Sequence, residues 1–118
     1  MSLISADELR ARTKKFAIRI VRLFRALPRR TDAQVLGKQL LRSGTSVAAN
    51  YRAACRGRSK AEFAAKLGVV AEEADETVFW LEMLVDCEIV AEEKIKLILQ
   101  EAKELTAIFS AATYTARH

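Results

Sequence analysis

QLLRSGTSVAANYRAACRGRSKAEFAAKLGVVAEEADETVFWL, residues 39–81, sets small and hydroxyl side chains (Ser43, Gly44, Thr45, Ser46, Ala48, Ala49) where a helix normally carries a bulky stripe. A basic cluster follows, Arg52, Arg56, Arg58 and Lys60, and then an acidic segment that closes on Phe79-Trp80-Leu81. Small residues let two helix backbones approach closely. The stretch therefore reads as a tightly packed helix pair whose two arms carry opposite charge.

Start and stop signals divide the chain into four helices, at about 5–27, 32–56, 60–87 and 92–113. Ser5 with Glu8 forms a capping-box pattern that opens the first, and Pro28 stops it. Its apolar positions Leu9, Phe16, Ile20, Leu23, Phe24 and Leu27 make one stripe at helical spacing. Thr31 with Gln34 repeats the box for the second helix, which is expected to end near Arg56 with Gly57 as a left-handed stop. Ser59 with Glu62 opens the third, whose apolar face runs from Phe63 through Leu67, Val70, Ala74, Val78 and Leu81 to Leu84. The fourth carries Ile95, Ile98, Ala102, Leu105, Ile108 and Phe109. Its start lacks a good cap, although Glu92 and Glu93 suit the positive end of the helix dipole. Connections this short make consecutive helices antiparallel neighbours. The fold class predicted is all-α: one domain, residues 1–118, forming an up-down-up-down four-helix bundle.

Antiparallel geometry also predicts which residues lie level. If the second and third helices turn near Arg58, Arg42 lies opposite Glu73, Asp75 and Glu76, and Gly44 lies near Gly68. Arg42, Ser46 and Asn50 are four apart and share a helix face. A guanidinium buried there would need a carboxylate, because an unpaired buried charge is very costly. The expectation is a network of Arg42 with Glu73 or Glu76, with Ser46 and Asn50 as hydrogen-bonding neighbours. It reads as a device that fixes helix register, since no nucleophile–base pair accompanies it.

Composition narrows the function classes. With 118 residues the chain can bury a core without staples, and scarce Gly and Pro favour helix throughout. Cys55 and Cys87 sit in apolar helical registers without metal or redox spacing, so they read as buried reduced thiols. No signal-like segment opens the chain, and no apolar run approaches the ~18 residues of a membrane span. A soluble, cytoplasmic protein without membrane contact is the expectation. The sole histidine is His118, no Glu-x-x-His pair occurs, and Gly37, Gly44, Gly57 and Gly68 are isolated. Metal sites, cofactors and catalytic residues are therefore not expected, and the protein reads as no enzyme.

The run from Leu40 to Leu84 resembles the bacterial four-helix-bundle proteins first associated with intervening sequences in large-subunit ribosomal RNA genes, historically labelled ribosomal-protein-like. The residues that carry the likeness are Arg42-Ser43-Gly44-Thr45-Ser46 with Val47, Ala48, Asn50 and Tyr51, then Ser59, Glu62 and Phe63, then Glu73, Glu76 and Trp80-Leu81. The resemblance implies a ring-shaped homopentamer whose molecular function is poorly established. More distantly, the chain is similar to the accessory variability protein of diversity-generating retroelements, a basic pentameric barrel that binds nucleic acid and works with a reverse transcriptase. Ala53 departs from the pattern where an acid is common, which makes the Arg52–Arg56 surface more basic. Ala91 departs where a serine often opens the last helix.

Charge distribution points to a partner class. Residues 1–60 carry fifteen Lys and Arg against three acids, a formal +12, whereas residues 61–118 carry five against twelve, a formal −7. Such asymmetry fits a polyanion-facing surface, or opposite faces that meet in an assembly. For the first, Arg52, Arg56, Arg58 and Lys60, extended by Arg12, Lys15, Arg19, Arg22 and Arg29 along the first helix, would bind RNA or DNA phosphates with little sequence preference. For the second, a homo-oligomeric scaffold or adaptor would use its charges between subunits or on a protein partner such as a reverse transcriptase. Val21, Phe79, Ile89 and Tyr114 would then line the seam.

Overall fold

The structure, a computed structural model, describes residues 4–118. Four helices follow in order: α1 (Ala6–Ala26), α2 (Thr31–Ala54), α3 (Lys60–Asp86) and α4 (Glu92–Arg117). Each packs along the next, while α1 and α4 meet over only a short stretch, so the up-down-up-down bundle has one looser seam. Its extents of 45 × 24 × 21 Å match helices of this length lying side by side.

Two of the caps form as the sequence predicts. The Ser5 hydroxyl accepts the Glu8 N–H at 3.1 Å, and the Ser59 hydroxyl accepts the Glu62 N–H at 3.0 Å. α1 stops at Ala26 because Leu27, the residue before Pro28, is held extended at ψ 150°. The Thr31 box does not form. Arg30 is the N-cap and makes no side-chain cap bond, Thr31 is already helical, and the Gln34 amide donates instead to the Pro28 carbonyl at 2.8 Å.

The other ends differ in detail. α2 finishes at Ala54 rather than near Arg56, and Gly57 has no positive φ. The next two turns tighten, with Arg56 N–H donating to Ala53 O and Gly57 N–H to Ala54 O. A Cβ on Gly57 would lie 3.1 Å from the Ala54 carbonyl oxygen and 3.3 Å from the Phe63 nitrogen, so close approach of the chain is what favours glycine there. The left-handed residue is Glu88, at φ 59°. Around it Ile89 N–H donates to Leu84 O and Glu88 N–H to Val85 O, the paired bonds of a Schellman motif closing α3. α4 starts on the uncapped Ala91, as expected, and continues four residues beyond the predicted end, to Arg117.

The core takes Phe16, Ile20, Val70, Leu105 and Phe109 from the predicted stripes of α1, α3 and α4, and α2 adds Leu40 and Val47, for which no stripe was predicted. Leu23, Phe24, Val78 and Ile108 of the predicted stripes are only partly buried. Tyr51 and Phe109 cross it with ring centroids 5.1 Å apart. Phe63, expected in the core, is 36% exposed because it sits in the first turn of α3, at the rim of the bundle.

The small residues act differently from the expectation. Gly44 faces α1, where a Cβ would lie 2.8 Å from both Cγ atoms of Ile20, and Gly37, two turns earlier, would press on Leu27 and Phe24. Gly68 faces α4 at Thr113 and Arg117. Gly44 and Gly68 therefore serve different helix pairs and do not oppose each other. Between α2 and α3 the close contact is polar: the fully buried Thr77 hydroxyl lies 3.0 Å from Ser43 Oγ and 2.8 Å from the Glu73 carbonyl.

Candidate nucleic-acid interface

Arg42 bridges α2 to α3. Its Nη1 donates to Glu73 Oε2 at 3.1 Å and its Nη2 to Glu76 Oε1 at 2.5 Å, while the Trp80 indole N–H donates to the same Glu76 oxygen at 3.2 Å. The hydrogen bond from Arg42, assisted by Trp80, holds the Glu76 carboxyl below the usual carboxylate range, and the bond to Glu76 raises the Arg42 guanidinium in turn. Ser46 and Asn50 stay apart from this bridge: the Asn50 amide donates to the Ser46 backbone carbonyl at 2.9 Å within α2. With the Arg42 side chain half exposed, each ion pair contributes no more than about 1 kcal/mol. Spacing did not reveal Trp80 as a partner of the bridge, nor the separate Ser43–Thr77 contact between the same two helices.

The cations divide into two sets. Arg12 clamps α1 to α4, its Nε donating to Glu101 Oε2 at 2.8 Å and its Nη2 to Glu101 Oε1 at 2.6 Å, with Glu104 at 3.2 Å. That fork raises the Arg12 guanidinium, first through its hydrogen bond to Glu101. The charge of Arg12 is thus compensated inside the bundle. Lys15, Arg19 and Arg22 follow Arg12 at steps of three and four, so they share its flank of α1 beside α4.

The second set gathers where α1 begins and α2 ends. Arg52 on the last turn of α2, Arg56 and Arg58 in the connection beyond it, and Lys60 at the start of α3 are exposed and form no ion pair among the described residues. The residues of α1 that face Arg52 are Arg10 and Lys14, across a groove of about 450 Å³ floored by Ala11, Thr45, Ala48 and Ala49. Sequence reasoning missed both, although their four-residue spacing on the flank opposite Arg12 is a usable signal.

Beneath the groove's outer end, Arg10 pairs with Asp7 and interacts with the Cys55 side chain, which is the main reason its guanidinium is raised. Burial, with help from Cys55, pushes the Tyr51 hydroxyl up to about 12. Cys55 is half-buried and Cys87 is exposed, so the expectation of two buried thiols fails for Cys87, which lies at the α3 C-cap.

At the same end of the bundle, Lys60, Arg117 and His118 line a hollow of about 530 Å³ with Phe63 and Thr115. An apolar trough of about 830 Å³, lined by Leu9, Tyr51, Phe63, Ile108 and Phe109 among others, lies under the open α1/α4 seam. Among the described residues no group of His, Cys, Asp and Glu is placed to hold a metal ion. Nor is any helix among them long and apolar enough to cross a membrane.

The bundle defines a small all-α protein with no strand among the described residues, a register bridge between α2 and α3, and a concentration of cations at one end. The chain belongs to the 23S rRNA-intervening sequence protein family, whose model matches residues 8–111. It is also similar to a crystal structure from Bacteroides thetaiotaomicron, described as a protein of unknown function from the S23 ribosomal protein family. The TM-score is 0.85 at 34% identity, over 92% of this chain and 97% of that one. No curated protein matched the chain.

Proposed function

We propose that this chain is a non-catalytic, homo-oligomeric bundle of the cytoplasm that binds nucleic acid through a basic surface with little sequence specificity. The observation that carries the reading is the convergence of exposed, unpaired Arg52, Arg56, Arg58 and Lys60 with Arg10 and Lys14 at one end of the bundle. Cations so placed neutralise phosphates and release counterions, which gives affinity that falls with salt and ignores base identity. A ring, five-membered by the resemblance, would repeat the patch and raise avidity wherever one strand spans neighbouring subunits. Exposed apolar side chains, Leu97 at 77%, Tyr114 at 66% and Phe79 at 50%, are available for subunit contacts.

A second reading has its own observation. It is supported by the pairing of Arg12 on the basic flank of α1 with Glu101 and Glu104 on α4. The same match made between protomers, or with a protein partner such as a reverse transcriptase, would make the protein a scaffold. Fluorescence anisotropy with RNA and DNA over a salt series, alongside the oligomeric state, separates the two readings. Under the binding reading, changing Arg52, Arg56 and Arg58 together to Ala weakens binding and leaves the assembly intact. Absence of binding at low salt, with an assembly that dissociates as salt rises, supports the scaffold instead.

A further inference from the structure

We propose that the groove between α1 and α2 holds the sugar–phosphate backbone of a single nucleic-acid strand, a claim that rests on the nucleic-acid reading above and gives it a location. Cations stand on both walls: Arg10 and Lys14 on α1, Arg52 on α2. One helical turn, about 6 Å of rise, separates Arg10 from Lys14, a step suited to successive phosphates of an extended strand. Arg52 supplies a planar fork from the opposite wall, and Arg56, in the connection just past the end of α2, continues the cationic run towards Arg58 and Lys60. Among the described residues Asp7 is the one acid paired to a wall cation; it lies three residues from Arg10 on an exposed surface, where an ion pair is weak enough for a phosphate to replace it.

The floor explains the selectivity. Ala11, Ala48 and Ala49 keep it low and present methyl groups to the sugars. The Thr45 hydroxyl donates to the Leu41 carbonyl at 2.7 Å, which satisfies its proton within α2. Among the described residues no aromatic lines the groove, so bases have no stacking platform and must point outward. A cleft between packed helices whose axes lie about 8–10 Å apart is too narrow for a duplex, which could touch only the ridges beside it. The walls are also fixed in place: immediately beyond the groove Gly44 packs closely against Ile20 and sets the distance between the two helices, so little ordering is needed on binding.

The test uses the full chain and a short oligouridine strand, compared with an RNA duplex of the same length, by fluorescence anisotropy over a salt series. Ala11→Leu with Ala49→Leu fills the exposed groove without removing a charge and keeps two good helix formers in place. A melt of this variant verifies its fold. The wild type should prefer the single strand, and the filled groove should lose about tenfold of that affinity while duplex binding is unchanged. Three phosphate contacts predict a slope of log affinity against log salt of about −2 per protomer, and Lys14→Ala should reduce it by about 0.7. Equal strand binding by the folded double variant, or a wild-type preference for duplex, overturns the groove and leaves the nucleic-acid reading standing. Failure of strand and duplex alike to bind at low salt overturns both.

Discussion

Replacing Gly44 with alanine should destabilise the bundle even though alanine is the better helix former. In an open helical position the change would contribute about 1 kcal/mol in favour of folding. Here the new Cβ would stand 2.8 Å from Ile20 Cγ1 and Cγ2 and 3.1 Å from its Cβ. Ile20 is fully buried and β-branched, so it has no rotamer in which to withdraw both arms. Forced overpacking of this kind costs about 1–3 kcal/mol, which leaves a net loss of up to about 2 kcal/mol. Gly68→Ala is the internal control. Its Cβ would meet only the mobile tip of Arg117 at 3.1 Å and Thr113 at 3.8 Å, so the propensity gain of roughly 0.5–1 kcal/mol should survive. Urea unfolding at one fixed protein concentration measures both, since an oligomer's apparent stability depends on concentration. Ile20→Ala supplies the third corner: alone it should cost about 2–5 kcal/mol, but combined with Gly44→Ala the two should couple favourably by about 1 kcal/mol or more. Gly44→Ala and Gly68→Ala shifting stability in the same direction, or a coupling of zero, would refute the assignment of Gly44 to the α1/α2 contact.

Glu88→Gly should raise stability by about 1 kcal/mol by relieving the left-handed backbone at φ 59°; a thermal melt no higher than wild type would contradict the Schellman assignment. The Glu76 carboxyl is held low by Arg42, so on acidification the unfolded chain takes up its proton first. The stabilisation from this group is complete above the ordinary carboxylate value and disappears as pH falls through the depressed folded value. Arg42→Met should flatten that acid-side decline in denaturation experiments, and an unchanged profile would place its origin elsewhere.

Much of the architecture was legible because helices announce themselves locally. The Ser5 and Ser59 boxes, Pro28 and the apolar stripes are interactions within a few residues, and they recur in the structure. Antiparallel counting put Arg42 level with Glu73 and Glu76 because a short turn leaves little freedom of register. Failures came where one local signal had two possible uses. Thr31 could cap or begin a helix, and Gly57 could turn left-handed or merely allow close approach. Around Thr31 the Gln34 amide goes to the Pro28 carbonyl, and around Gly57 the Ala54 and Phe63 backbone closes in, so the second use is realised each time.

The division runs along the range of the forces. Four amphipathic helices, their order, their antiparallel sense and a basic first half against an acidic second half are consequences of the sequence alone, since each depends on spacing or counting. Which flank of each helix meets which neighbour is different, because a helix can roll about its axis until side chains on three other helices interlock. That roll turns Gly37 and Gly44 towards α1, joins Ser43 to Thr77, commits Arg12 to Glu101, and sets Arg10 and Lys14 across from Arg52. Only the packed bundle could separate the arginine that ties α1 to α4 from the cations left facing an open groove.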